Sequence, residues 1–360
     1  MSLRTAVCDL FGIERPIFGF AHSVAVTAAI SRAGGLGVYG ATMDEPDEIR
    51  DKARQLRALC GDRPFGIDLL LPSGVGDETD RAKVAADLPQ GHKDFVAGLA
   101  ERYAVPPPTE KTFYGRNVRS QTLFRRQVEA ALDCEADVFA AAVGVPAAVI
   151  AEAKAAGKRT ISLVGAVKHA EKAVAAGVDL IVAQGYDAGA HTGRIGTFSL
   201  VPQVVDAAQG IPVLAAGGVG HGRHLAAALA LGAQGVWLGT AWLTAVEHRL
   251  DEVTLRKLLA AGSDDTVISR SYSGKTLRMI RTAWSDEWDA PGAPEPLPMP
   301  FQQVLIGDFL AGVRQHRIEP LMWEPAGQSI AWFNEVATVS EIMDRLTAEA
   351  EAALAALPGR

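Results

Sequence analysis

The arrangement richest in chemistry is one histidine set among three glycines, in Gln184-Gly185-Tyr186-Asp187-Ala188-Gly189-Ala190-His191-Thr192-Gly193. Bare backbone on either side lets such a loop pass close to a ligand. An imidazole, with an ordinary pKa of about 6.5, can serve there as base or acid near neutrality. A second arrangement is a pair of glycine-rich endings, Ala215-Ala216-Gly217-Gly218-Val219-Gly220 and Leu238-Gly239-Thr240. Backbone N–H groups without side chains in the way can converge on a dianion, and the Thr240 hydroxyl can add to them, so a phosphate group is the expected ligand. Of the eight histidines, His191 is the best placed; His22 also lies where it can face a ligand. Lys168-His169 reads as an exposed helix start, and His221 and His224 read as helix-face residues.

The elements that must carry these residues repeat one theme from about residue 14 to residue 246: a short apolar run, a small-residue turn, then an alanine-rich stretch of helical period. Strands are expected at 16–20, 35–39, 65–70, 138–142, 160–164, 180–183, 213–216 and 235–238. Eight apolar strands separated by helices predict a (β/α)8 barrel, whose parallel strands are buried on both faces and whose active site lies at their carboxyl ends. His22, the loop of His191 and both glycine endings fall just after such strands. Residues 72–116, with Pro-Pro-Pro and many charges, read as an insertion after the third strand holding one short helix near 92–103. The expected division is a barrel over 1–250 and a C-terminal helical cap over 251–360. That cap would hold helices at 251–261, 302–315 and 339–357, a strand-like run at 266–271 and a proline-rich linker at 288–300.

Composition narrows the function. The 360 residues carry a net charge of −7 and are 48% hydrophobic but only 6% aromatic, which fits branched strands packed on alanine-faced helices. A mildly acidic chain with no basic run offers nothing to neutralise a nucleic acid or an anionic membrane. Cys8, Cys60 and Cys134 are odd in number and widely spaced, so neither a disulfide framework nor a zinc site is expected, and a reducing cytoplasm fits best. The first residues reach a charge before any long apolar run forms, so no signal peptide is expected.

These residues resemble one family. Gly34-Gly35-Leu36-Gly37-Val38, Pro64-Phe65-Gly66-Ile67-Asp68-Leu69, the segment 184–193, 212–219 and 231–240 together resemble the nitronate monooxygenases, a superfamily shared with flavin-dependent enoyl-acyl-carrier-protein reductases and NADH:quinone reductases. Gly274-Lys275-Thr276, Arg278 and Ala326-Gly327-Gln328 in the tail are similar as well. The resemblance implies non-covalent FMN, with its phosphate on Gly217, Gly218, Gly239 and Thr240. Its ring would lie by Phe18, Gly19, Phe20, Asp68, Gln184 and Gly189. It implies that His191 is the catalytic group, acting as base toward a nitroalkane or positioning a nitronate, with O2 as oxidant and no metal. His22 and Trp323 are candidate substrate contacts.

The chain also departs from the family. Asp68 stands where an Asn is usual, exchanging an amide donor for an acceptor-only carboxylate, and Ala190 stands where a Gly is usual. Leu163 offers no polar group, and Trp284, Trp288, Trp323 or Trp332 can replace pocket tyrosines. An NAD(P)H-dependent FMN reductase acting on quinones or enoyl thioesters is the alternative reading. A flavin-free barrel for a phosphorylated metabolite and a non-catalytic flavin binder are the readings from other classes. Partners are expected to be a small-molecule substrate and O2, in a monomer or homodimer.

Overall fold

A computed structural model describes residues 3–144 and 146–357. Eight parallel strands close into a barrel in the order β1 (Ile17–Ala21), β2 (Leu36–Gly40), β3 (Phe65–Leu70), β4 (Val138–Ala142), β5 (Arg159–Val164), β6 (Leu180–Gln184), β8 (Val213–Ala216) and β9 (Val236–Leu238). Every expected strand is present within two residues. The missing number is β7 (Ala190–His191), which leaves the barrel and joins β10 (Thr266–Ser269) and β11 (Leu277–Ile280) in a separate sheet of order β10-β11-β7.

The crossovers are α2 (Val24–Arg32), α3 (Pro46–Cys60), α7 (Gln121–Asp133), α8 (Ala147–Ala155), α9 (Val167–Ala176), α10 (Thr197–Ala207) and α11 (Gly222–Ala230). Before them stands α1 (Ala6–Phe11), whose Val7, Cys8 and Phe11 join Phe18, Leu36, Val38, Val138 and Leu180 in the barrel's interior core. The barrel is therefore packed by side chains on this side, as the alternation of inward residues requires, and opens only at the carboxyl ends of the strands.

The insertion holds three helices where one was expected: α4 (Arg81–Ala86), α5 (Gln90–Arg102) and α6 (Phe113–Arg116). Asp80 caps α4, accepting from the N–H groups of Ala82 and Lys83, a local signal hidden in a charge-rich stretch. In the tail, α12 (Glu252–Ala260), α13 (Ala283–Asp289), α14 (Phe301–Gln315) and α15 (Val339–Ala355) follow. α13 runs through Trp288, so the proline-rich linker begins only after Asp289. Insertion and tail share an apolar core of Val96, Leu99, Trp284, Trp288, Ile306, Phe309 and Trp323. α15 instead lies on α11 and α2, burying Val339, Ile342, Met343 and Leu346 in the outer core of the barrel. No described helix is long and apolar enough to cross a membrane.

Candidate active site

A cavity of about 1600 Å³ lies over the carboxyl ends of the strands, between the barrel mouth, the insertion and the tail. His191, Phe20, Asp68, Gln184, Gly189, Gly217, Gly218, Gly239, Thr240, His22 and Trp323 all line it. Phe18 and Gly19 do not. Phe18 is fully buried one layer below, edge-on to Phe11 at 5.2 Å. Gly19 faces outward, where a Cβ would meet Ile30 and the Trp242 indole at 2.5 and 2.7 Å. Alternation along a strand explains both: Phe18 and Phe20 share the inward face, and only Phe20 reaches the mouth.

The glycine endings form a cradle. Gly217 and Gly218 take φ of 95° and 75°, a conformation that favours glycine, and a Cβ on Gly239 would project into open space. Thr240 is buried beside them, its hydroxyl accepting from the Gly327 N–H at 2.9 Å. A segment of the tail thus crosses the cradle, and Gly189 packs so closely on it that a Cβ would lie 2.7 Å from Ala326 and Gly327 backbone atoms. This bare, N–H-rich lining fits a flavin phosphate, and the unpaired inward polar atoms of the mouth fit a flavin ring.

His191 is held from two sides. Its backbone belongs to β7, paired with Leu277 of β11, and its carbonyl accepts from the Gln184 side chain at 2.7 Å. Its ring Nε2 lies 2.7 Å from the Ser273 hydroxyl, so Nδ1 is the nitrogen left for a ligand. Burial and the cationic Arg119 and Lys275 push its pKa down to about 4, leaving the imidazole neutral over the physiological range. Preceding it, Ala190 adopts φ 60°, where its β-carbon is strained and a glycine would not be. Arg278, 3% exposed, holds this loop down: Nε and Nη2 donate to the Tyr186 carbonyl at 3.2 and 3.1 Å, and Nη1 donates to Thr266 at 3.0 Å.

His22 donates from Nδ1 to the Gly40 carbonyl at 2.7 Å, because a carbonyl can only accept. That fixes the tautomer and leaves Nε2 as an acceptor, while burial lowers the ring's pKa. Asp68, in register beside Gly40 on β3, is 3% exposed and its Oδ1 has no partner. Burial raises its pKa well above the ordinary carboxylate value. Burial thus works against the acceptor-only carboxylate expected here and toward the protonated acid, which can donate as an amide would.

Leu163 lines the cavity as expected, and His169 reaches its rim from the first turn of α9. Of the tail tryptophans, Trp323 lines the cavity with its ring 5.0 Å from that of Tyr272, whereas Trp284 and Trp288 are buried in the core beneath. Trp332 packs outside, edge-on to His221 and His224. His221 caps α11, while Nδ1 of His224 accepts from the Gly220 and His221 N–H groups. Residues the sequence did not single out complete the wall, Arg119, Tyr114 and Tyr272, and Ser273, buried in the turn before β11, backs it by holding His191. A charge amid a loop and a serine in a turn carry no spacing signal that distinguishes them.

Comparison with known proteins bears on this site directly. The sequence model of the family described as nitronate monooxygenase matches residues 4–349. A Mycobacterium tuberculosis protein assigned provisionally as a monooxygenase is 42% identical over 88% of this chain and 87% of its own length. A nitronate monooxygenase of Paraburkholderia phytofirmans is 33% identical over 83% of this chain and 82% of its own. Among solved structures, a nitroalkane oxidase from Streptomyces ansochromogenes superposes with a TM-score of 0.80 at 28% identity, covering 98% of this chain and 100% of that one. FabK from Thermotoga maritima gives 0.76 at 27%, covering 98% of each.

Proposed function

The chain belongs to the nitronate monooxygenase family, and from that premise we propose that it binds FMN over the barrel mouth and oxidises alkyl nitronates with O2. The enzyme is an oxidoreductase. Gly217, Gly218, Gly239 and Thr240 would hold the phosphate, and Phe20, Asp68, Gln184 and Gly189 would border the ring. When bound, FMN supplies the redox chemistry between substrate and O2; the barrel supplies position and electrostatics.

The observation that carries the reading is the state of His191: a neutral imidazole with a pKa of about 4, beside two cations and, among the described residues, no anionic partner. Such a ring is a weak base for removing a proton from a neutral nitroalkane. A nitronate has already lost that proton and brings a negative charge to a positive site. His191 is therefore a positioning group, offering the anion a hydrogen bond from Nδ1, with Arg119 and Lys275 supplying the attractive field. Nε2 of His22 adds a fixed acceptor on the opposite side of the mouth.

The test is a visible spectrum of the protein with added FMN, then oxygen uptake and nitrite release with ethyl nitronate and with nitroethane. Turnover of the nitronate far exceeding that of the nitroalkane is expected. Anaerobic bleaching of the flavin by NADPH but not by nitronate would overturn the reading in favour of a reductase. A protein that takes up no FMN would return the cradle to a phosphorylated metabolite.

A further inference from the structure

The cavity is larger than one small ligand needs: about 1600 Å³, against roughly 300–1,000 Å³ for a single-ligand pocket. In the closed strand order, β3 and β4 stand diametrically opposite β8 and β9, which carry the phosphate cradle. There the cavity runs on past the barrel rim as a limb over the ends of β3, β4 and β5 and between α7, α8 and α9. Leu70, Val143, Val149 and Leu163 line this limb and are half-buried, with Leu71 and Phe124 as the buried wall behind them. Polar side chains at its border are tied elsewhere: Gln121 Nε2 donates to the Pro72 carbonyl at 3.2 Å, and Arg125 pairs with Glu129 and Glu152 at 3.0 and 2.7 Å. The exposed His169 and Lys172 mark where the limb meets solvent.

The inner end of the limb opens beside the reacting centre. Leu70 follows Asp68 on the same face of β3, and Leu163 shares a face with Gly165 at the end of β5. Gly165 abuts the loop of His191, where a Cβ would lie 3.4 Å from the Gly193 Cα. Between these strands Val143 takes φ 62°, which a β-branched residue rarely adopts, and Gly144 comes so close to the end of β3 that a Cβ would lie 2.0 Å from the Leu71 carbonyl oxygen. Backbone strain of this kind gathers where a chain is shaped around a ligand. An ionic or nucleotide group would find no partner in such a wall, whereas an alkyl chain would shed water along its whole length.

We propose that this limb is a subsite for a long apolar chain of the substrate, so that the enzyme selects nitronates bearing a chain of about octyl length over short ones. This deepens the functional reading above and rests on it for the reacting group. The ends of three neighbouring strands, spaced about 4.8 Å apart, set a span of roughly 10 Å, which an extended octyl chain matches. Val149, on α8 and outside the barrel, is the residue that sets how far such a chain can run.

Two measurements test it on the FMN-loaded enzyme. The first is kcat/KM for ethyl, butyl, hexyl and octyl nitronate, expected to rise by about two- to fourfold with each added methylene and to level off where the chain leaves the limb. Val149→Trp fills the limb, and Val149→Asp puts a charge in it at the first turn of α8, where an acid suits the helix dipole. In each variant the octyl-to-ethyl ratio should fall by about tenfold or more. The second is binding of n-octanol, followed by titration calorimetry, expected to weaken by about tenfold in the same variants. Val149→Asp keeps the test decisive where the larger tryptophan fails to pack. If no nitronate turns over, the functional reading falls while octanol binding, weakened in the variants, still supports the limb. An octyl-to-ethyl ratio near one in the unaltered enzyme, a ratio unmoved in Val149→Asp, or octanol binding that is absent or unmoved by the substitution would overturn it.

Discussion

The imidazole Nε2 of His191 and the hydroxyl of Ser273 lie 2.7 Å apart, joining the barrel's sixth βα loop to the turn between β10 and β11. Ser273 is fully buried, so the contact is sheltered from water and fixes which ring nitrogen meets a ligand. Ser273→Ala frees the ring to rotate. A buried neutral hydrogen bond contributes roughly 1 kcal/mol, so kcat/KM for nitronate should fall by about five- to tenfold, with a small loss of Tm. An unchanged kcat/KM would show that packing alone orients the ring.

The depressed pKa of His191 sets the acid behaviour. The unfolded chain protonates this histidine below about 6.5, whereas the folded chain resists protonation until about 4. Between those values the unfolded state binds more protons, so stability declines as pH falls from 6.5 toward 4, by on the order of 3 kcal/mol from this group alone. Burial lowers His22, His224 and His248 too, which adds in the same direction. Denaturant midpoints at pH 7.5 and 5 should differ accordingly, and His191→Gln should reduce the difference. The acid limb of kcat/KM should lie nearer 4 than 6.5.

Ala190, at φ 60°, sits in the left-handed region at a cost in backbone strain. A non-glycine residue in the left-handed region costs about 1–2 kcal/mol, while glycine's extra unfolded-state freedom returns about 0.4–1 of that. Ala190→Gly should therefore raise stability modestly, by about 0.5–1 kcal/mol in urea unfolding. Activity should stay within a factor of two or so, because β11 pairing and the Arg278 hydrogen bonds already hold the loop. A clear loss of stability would show that the Ala190 methyl makes a packing contribution larger than its strain.

What the sequence disclosed and what it withheld divide along a physical line. Strands such as Val138–Ala142 and the glycine endings at Gly217 and Gly239 were legible because barrel strands are continuously apolar and a βα turn near a ligand needs bare backbone. The inward or outward sense of Phe18 and Gly19 was not, since a strand buried on both faces has no polar side to fix its phase. Arg119 reaches the cavity, and Ser273 the His191 ring, only through tertiary packing, 72 and 82 residues from His191 in sequence, and nothing local marks them. Asp68 was visible as a departure, but its charge state depends on burial that only the folded chain reveals.

That charge state yields the last prediction. Asp68 is buried on β3 with Oδ1 unpaired, and burial raises its pKa well above the ordinary value. In the unfolded chain the same group ionises above about 3.9. From that pH upward the folded state holds the extra proton, so stability falls as pH rises until the folded pKa is passed. Asp68→Asn removes the titration and puts an amide donor at the same place. It should be the more stable of the two proteins at pH 8, with the gain shrinking toward zero near pH 4. FMN affinity gives an independent measure: it should be similar in both proteins at low pH and hold up better in Asp68→Asn as pH rises. If Asp68→Asn is instead less stable at every pH, the carboxyl is ionised and held by a partner that the asparagine cannot replace.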